Sequence, residues 1–176
     1  MAFLRVKNVN GQKYAYLVEN KWYKRGHKGK GRGPRQKVMR YLGRVYSFDK
    51  AHDGNFEEFK KIENLQSYCE SAENADIMRE LVEWELSRHN AGADFTVDFP
   101  KKKVRKGRKE VSIAMNEGCL NSYTLARLLN FKAEGHNAGM EFAKAFVEAG
   151  IEVPKELFVG MFSKIYKDDL SGDEDG

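Results

Sequence analysis

The sequence predicts an α+β fold: an N-terminal three-stranded antiparallel meander with covering helices, a second β-hairpin and a C-terminal helical cluster. Three observations predict it. Residues 3–9 interleave apolar with basic residues, 14–23 show a period-two pattern, and 35–46 are again rich in strand formers. From Phe56 the spacing of apolar residues lengthens to the helical period of about 3.6. Alternation returns over residues 93–115, and capped helical segments then follow to residue 167.

Residues 1–50 form the first unit, a basic antiparallel meander. Phe3, Val6 and Val9 are interleaved with Arg5 and Lys7. Asn10-Gly11 then turns the chain back, because both residues tolerate positive φ. In the second strand Tyr14, Tyr16, Val18 and Trp22 fall on one side, and Ala15, Leu17, Glu19, Lys21 and Tyr23 on the other. The loop KRGHKGKGRGP follows, with four glycines and five cations. Its glycines and like charges favour mobility and let an anion approach the backbone. The third strand begins near Arg35 and carries Val38, Met39, Tyr41, Leu42, Val45 and Tyr46.

A three-stranded sheet with an aromatic face needs cover. Residues 51–90 are expected to supply it as an acidic helical pair packed on the meander. One helix carries Phe56, Phe59, Ile62, Leu65 and Cys69; the next runs from about Asn74 to His89 with Ile77, Leu81 and Trp84 on one side. Tyr14 and Tyr16 are expected to lie beneath these helices, and Glu80, Glu83 and Glu85 to face solvent. Residues 91–115 read as a second hairpin: ADFTVDFP, the basic run KKKVRKGRK as its tip with a turn at Lys106-Gly107, and EVSIAM returning. Residues 116–167 read as the helical cluster. Asn121-Ser122 caps one helix, a second spans about Asn137 to Glu148 and ends at Gly150, and Pro154 opens a third. Residues 168–176, DDLSGDEDG, read as a disordered acidic tail.

Composition narrows the function classes. At 176 residues and 41% hydrophobic content the chain can bury a core. Its two cysteines, Cys69 and Cys119, form no CxxC pattern, which argues against a disulfide framework or zinc ribbon and suits a reducing compartment. No apolar run reaches the roughly 18 residues of a membrane helix. MAFLRVKNVNG has no long apolar stretch, so no secretory signal is expected and a cytoplasmic location follows. The net charge of +5 conceals segregation. Residues 1–50 hold fourteen Lys or Arg against two acidic residues, residues 51–90 four against ten, residues 91–110 seven against three, and residues 111–176 six against eleven. Basic and acidic blocks alternate, which speaks of partners more than the total does.

No catalytic set emerges. There is no GxxxxGK[ST] loop, and Gly29, Gly31 and Gly33 lack the spacing of a dinucleotide site. His27, His52, His89 and His136 are scattered without a second ligand at helical spacing, so no metal site is expected. Cys69 and Cys119 read as packed thiols. No cofactor is expected.

The cations point to a polyanion. Lys24, Arg25, Lys28, Lys30, Arg32 and Arg35 concentrate positive charge in the first loop; Lys101, Lys102, Lys103, Arg105, Lys106 and Arg108 do so in the second. Trp22, Tyr23 and Tyr41 are candidate stacking residues for unpaired bases. The expected function is non-enzymatic binding of DNA or RNA through the phosphates. The alternative is a protein-interaction adaptor that uses the acidic helices and tail, and an enzyme with an unmarked site stands third.

Phe3, Arg5, Val6, Lys7, Tyr14, Tyr16, Leu17, Val18, Glu19, Arg35, Gln36, Leu42 and Gly43 also form a pattern. It resembles the N-terminal segment of DDE-type insertion-sequence transposases: F-x-R-V-K, then Y-x-Y-L-V-E, a variable Gly/Lys loop and R-Q-x-x-x-x-L-G. The resemblance covers about the first quarter of the chain. It implies a DNA-contacting region of a mobile-element accessory protein. The ribonuclease-H-like core of that family, with three carboxylates and divalent metal, has no counterpart after Val45, so its catalytic triad, metal and activity are not carried over.

Overall fold

The computed structural model describes residues 2–23 and 33–171, with Tyr23 and residues 168–171 by backbone alone. Strands β1 (Ala2–Val9), β2 (Gln12–Tyr23) and β3 (Gly33–Ser47) form the antiparallel meander. Val9 pairs with Gln12 across Asn10 and Gly11, whose φ values of 51° and 76° make the two-residue turn that the Asn-Gly sequence favours. β1 reaches only Glu19 of β2, while β2 and β3 pair on to Tyr23 and Gly33. The last rungs, from Asn20–Gln36 outward, are therefore a two-stranded arm. Residues 24–32, with the mobility expected of them, lie outside the described residues.

Two register shifts shape β3. Ala15 pairs with Gly43 and Tyr16 with Tyr41, so Leu42 has no partner; Leu17 pairs with Arg40 and Val18 with Val38, so Met39 has none. Each extra residue reverses the alternation of the strand. Tyr41 and Gly43, two positions apart, thereby face opposite sides of the sheet. Leu42 is buried, and its carbonyl accepts a 2.9 Å bond from the buried Ser112 hydroxyl.

After the meander come α1 (Phe56–Lys60), α2 (Leu65–Ser71) and α3 (Asn74–Arg88). The single helix expected over Phe56 to Cys69 is broken. Lys61 adopts the left-handed conformation at φ 55°, and Asn64 starts α2 by accepting the Ser67 N–H at 2.9 Å. β4 (Phe95–Asp98), β5 (Lys103–Lys106), β6 (Lys109–Met115) and β7 (Gly118–Leu120) follow. The second hairpin holds more strands than the sequence suggests. β5 lies inside the basic run, so that run is a strand with a turn at each end rather than one tip. The turn expected at Lys106-Gly107 is present, with Gly107 at φ 57° and Lys106 paired to Lys109.

Strands β1 to β6 form one sheet in the order β1-β2-β3-β6-β5-β4, with β7 pairing to β6. The link is a parallel pairing of β3 with β6, from Arg44–Val111 to Ser47–Ala114. Gly43 is needed at this junction. A Cβ there would lie 2.4 Å from the Glu110 carbonyl oxygen and 2.7 Å from the Val111 Cα, and its φ of 99° disfavours other residues.

The C-terminal cluster comprises α4 (Ser122–Leu129), α5 (Ala138–Ala149) and α6 (Lys155–Ser171). Asn121 and Thr124 form a reciprocal capping box at the start of α4, and Gly150 closes α5 at φ 73°. α6 runs to Ser171, past the boundary at residue 168 expected for a disordered tail. The remaining tail residues lie outside the described ones.

Two cores form. The larger joins all six helices to Val104, Val111, Ile113 and Met115 of β5 and β6. The smaller gathers Ala15, Leu42, Val45 and Cys119, with Leu4, Leu17, Ala114 and Tyr123 against them. The larger core, which holds the acidic helices, reaches the meander at Tyr46 of β3. These helices join the C-terminal helices over the second half of the sheet, and neither core includes Tyr14, Tyr16 or Tyr41. Among the described residues no helix is long and apolar enough to cross a membrane.

Candidate nucleic-acid interface

Residues paired in register share a face of the sheet. One face of the meander thus carries three rows: Phe3–Val18–Val38, Arg5–Tyr16–Tyr41 and Lys7–Tyr14–Arg44. The Arg44–Val111 and Tyr46–Ile113 pairs extend it onto β6. The Leu42 bulge supplies Tyr41 to it. Tyr14 and Tyr41 have ring centroids 6.3 Å apart at 41°, and Tyr16 and Tyr41 lie 5.5 Å apart at 52°. Tyr41 is 53% exposed. Tyr14, Tyr16 and Tyr41 belong to neither core, although the sequence predicts Tyr14 and Tyr16 beneath the acidic pair.

Cations alternate with the rings. Lys7 Nζ lies 5.4 Å from the Tyr16 ring centre, and the Arg44 guanidinium carbon 5.0 Å from that of Tyr46. Lys106 Nζ sits 4.9 Å from both Tyr46 and Phe95. These are cation–π distances. Among the described residues, no acidic side chain forms an ion pair with Arg5, Lys7, Arg44 or Lys109. Partial burial, then the neighbouring Tyr14, Tyr16 and Tyr46, hold the Tyr41 hydroxyl above its ordinary ionisation range, so it stays neutral and does not repel an anion.

Where the meander meets β5 and β6 this face dips into a cleft of about 610 Å³. Tyr14, Tyr41 and Tyr46 are its aromatic walls; Arg44, Lys106 and Lys109 are its cations. Gln12 and Glu110 add polar groups. The bond from Lys103, then the charges of Lys103 and Arg40, hold the Glu110 carboxyl below its usual range against the opposing effect of burial.

The cations expected at the second tip are distributed along β5 and the turns at its two ends. Lys24, Arg25, Lys28, Lys30 and Arg32 lie outside the described residues. Arg35 stands on the arm opposite Lys21. Lys101 is exposed in the β4–β5 turn, where its N–H donates to Asp98 Oδ1 at 3.0 Å and its ammonium lies 3.5 Å from Asp98 Oδ2. Lys102 occupies the same turn at φ 51°. Lys103 and Arg105 are part-buried on β5, Lys103 paired with Glu110, and Arg105 bearing a buried Nε without a partner. Arg108 is exposed in the turn at the other end of β5. Only Lys106 of this group lines the tyrosine cleft, with Asp94 3.4 Å away. Of the stacking candidates, Tyr41 joins the face, Trp22 is 62% exposed on the arm opposite Pro34, and the Tyr23 side chain is not described.

Arg5, Lys7, Tyr14, Tyr16, Arg44, Tyr46 and Lys109 escaped selection from the sequence. The signal for part of the face was present, since Arg5, Lys7, Tyr14 and Tyr16 alternate on a hairpin with a known turn. Their exposure depends on where the helices go, which the local pattern does not encode.

Other chemistry-bearing groups are engaged internally. Glu85, expected in solvent, is fully buried. Its carboxylate accepts from Asn116 Nδ2 and the Glu152 N–H, each at 3.0 Å, and lies 3.2 Å from His89 Nδ1 and 3.5 Å from Arg88. Glu80 is held by Lys60 at 2.9 Å and by the Tyr68 hydroxyl, whose pKa burial and Glu80 raise. A second cleft of about 610 Å³ lies between α2 and α6. Its Lys164 is committed to the carbonyls of Cys69 and Ala72, and burial raises the Cys69 thiol, so neither is a ready ligand-binding cation or nucleophile; Lys155 and Lys167 also line this cleft. Among the described residues no group of three or more His, Cys, Asp or Glu is placed to hold a metal. No family model, curated protein or solved structure matches the chain.

Proposed function

We propose that this protein is a non-enzymatic, cytoplasmic nucleic-acid-binding protein. One observation carries the reading: a sheet face, meeting the larger core at Tyr46, on which Arg5, Lys7, Arg44, Lys106 and Lys109 are interleaved with the at least partly exposed Tyr14, Tyr16 and Tyr41. Four of these five cations have no acidic partner among the described residues, so their field is available to phosphates. The arm leads from this face toward the basic segment 24–32, which adds five cations in sequence. The N-terminal resemblance to transposase accessory strands agrees with contact to DNA and with a mobile-element-related role.

A protein partner is the second reading. Met140, Val147 and Val159 on α5 and α6 are exposed apolar residues that favour it. Capture of a protein that survives nuclease treatment and depends on Met140 and Val147 supports it.

The test of the main reading is salt-dependent anisotropy with a labelled oligonucleotide. Changing Arg5, Lys7 and Lys109 to Ala weakens binding to unrelated sequences about equally. Three lost phosphate contacts flatten the slope of log K against log salt by about 2 to 3 units. Wild-type affinity and slope in this variant, and in one with Lys28, Lys30 and Arg32 changed to Ala, contradict the reading.

A further inference from the structure

Resting on that reading, we infer that the ligand is a single strand. The cleft between the meander and β5–β6 seats one unpaired nucleotide, its base against Tyr41 and Tyr14 and its phosphate at Arg44 and Lys109. The face is built for stacking rather than for charge alone. The Tyr14–Tyr41 and Tyr16–Tyr41 ring pairs are tilted by 41° and 52° rather than stacked, and among the described residues cations lie over Tyr16 and Tyr46 but not over Tyr14 or Tyr41. The tilted and edge-on rings of Phe56, Phe142 and Phe146, by contrast, are fully enclosed in the larger core.

A duplex exposes phosphates and base edges but keeps its π faces within the stack. A protein surface for a duplex can set a tyrosine hydroxyl on a phosphate but has no use for the ring face. A single strand offers both phosphates and base faces, and alternation of cation and ring matches its alternation of phosphate and base. The cleft adds depth where the open face is shallow. Its size falls within the range of small-ligand sites. Arg44 and Lys109 lack acidic partners among the described residues, Gln12 provides an amide donor and acceptor beside the aromatic wall, and the Glu110 carboxylate is held by Arg40 and Lys103. Gly43 lets β3 approach β6 closely enough to make the floor.

The same base-plus-phosphate chemistry is found in a strand and in a free mononucleotide, so the experiment separates them. Binding is measured with a dodecamer of oligothymidine, an abasic sugar-phosphate strand of equal length, a blunt duplex and thymidine monophosphate. The oligothymidine binds at least about fivefold tighter than the abasic strand, since each stacked base contributes that much or more. It also binds tighter than the duplex. Tyr41→Ala or Tyr14→Ala removes this preference while abasic-strand binding persists, and Tyr41→Phe keeps it. Should the alanine variants unfold, cross-linking of wild-type protein by a 5-iodouracil strand decides, with adducts expected on the peptides holding Tyr14, Tyr41 or Tyr46. Equal affinity for oligothymidine and the abasic strand overturns the inference while leaving charge-based binding intact. Duplex binding as tight as the single strand, or displacement by the mononucleotide at equal nucleotide concentration, overturns it as well. Failure to bind every ligand overturns the parent reading with it.

Discussion

Cys119 sits on β7 against Ala15, Leu42 and Val45, at the contact between the meander and the rest of the chain. Burial pushes its thiol up to about 11, outweighing bonds with Ser112 and Asn121 that act in the opposite direction. An unfolded thiol ionises near about pH 8.5. Between those values the unfolded chain releases a proton that the folded chain keeps. The associated stability is present in full below about pH 8.5 and is lost as pH rises through the folded value, amounting to about 3 kcal/mol. Urea melts across this window are therefore expected to show an alkaline fall in stability that is smaller in Cys119→Ala. Identical pH slopes in the two proteins contradict the assignment. Gly43 allows a second residue-level test. Gly43→Ala forces a Cβ into backbone atoms at 2.4 and 2.7 Å at an unfavourable φ. A loss of at least about 2 kcal/mol in urea melts is expected, because backbone, unlike a side-chain tip, cannot yield cheaply.

At the scale of elements, α3 is fixed by a buried polar set as well as by its apolar side. Glu85 collects Asn116 from the β6–β7 turn and the Glu152 N–H from the segment before α6, while Arg88 reaches Glu152 at 2.8 Å and lies over Trp84 at 4.3 Å. Glu85→Ala takes this fully buried carboxylate from the buried Arg88 and His89 and from the Glu152 N–H, and is expected to destabilise by about 3–5 kcal/mol in chemical denaturation. A cost below about 1 kcal/mol, typical of an exposed helix position, contradicts this role. The same helix shows what the sequence could convey. Its extent was legible from Ile77, Leu81 and Trp84, as were the Asn10-Gly11 and Lys106-Gly107 turns and the Asn121 cap, because each rests on local chemistry. The burial of Glu85 was not, since its partners lie 31 and 67 residues away in sequence. Nor was Tyr41's place on the tyrosine face. A bulge leaves no local mark in MRYLGR, yet it exchanges the two faces of the strand.

For the whole molecule, the parallel pairing of β3 with β6 determines the rest. It makes one sheet from two segments that the sequence presents separately, and it gathers the helices over the second half. The first half is left with an apolar side closed by the smaller core and a tyrosine-and-cation side that meets the larger core at Tyr46. Charge counting along the chain located basic segments, but the basic run 101–109 is divided between two turns and a strand, so only part of it meets the tyrosines. In the proposed reading the binding surface is a sheet face that part of this second basic run joins. The chain has eight tyrosines, enough for a direct map by NMR of tyrosine ring signals during titration with an oligothymidine strand. The rings of Tyr14, Tyr16, Tyr41 and the cleft-lining side of Tyr46 are expected to shift upfield together, while Tyr68 and Tyr123, packed against the two cores and lining no part of that cleft, and Tyr166 on α6 stay in place. Shifts confined to Tyr68, Tyr123 or Tyr166, or saturated binding with no change at Tyr14, Tyr16, Tyr41 and Tyr46, contradict the assignment of this face.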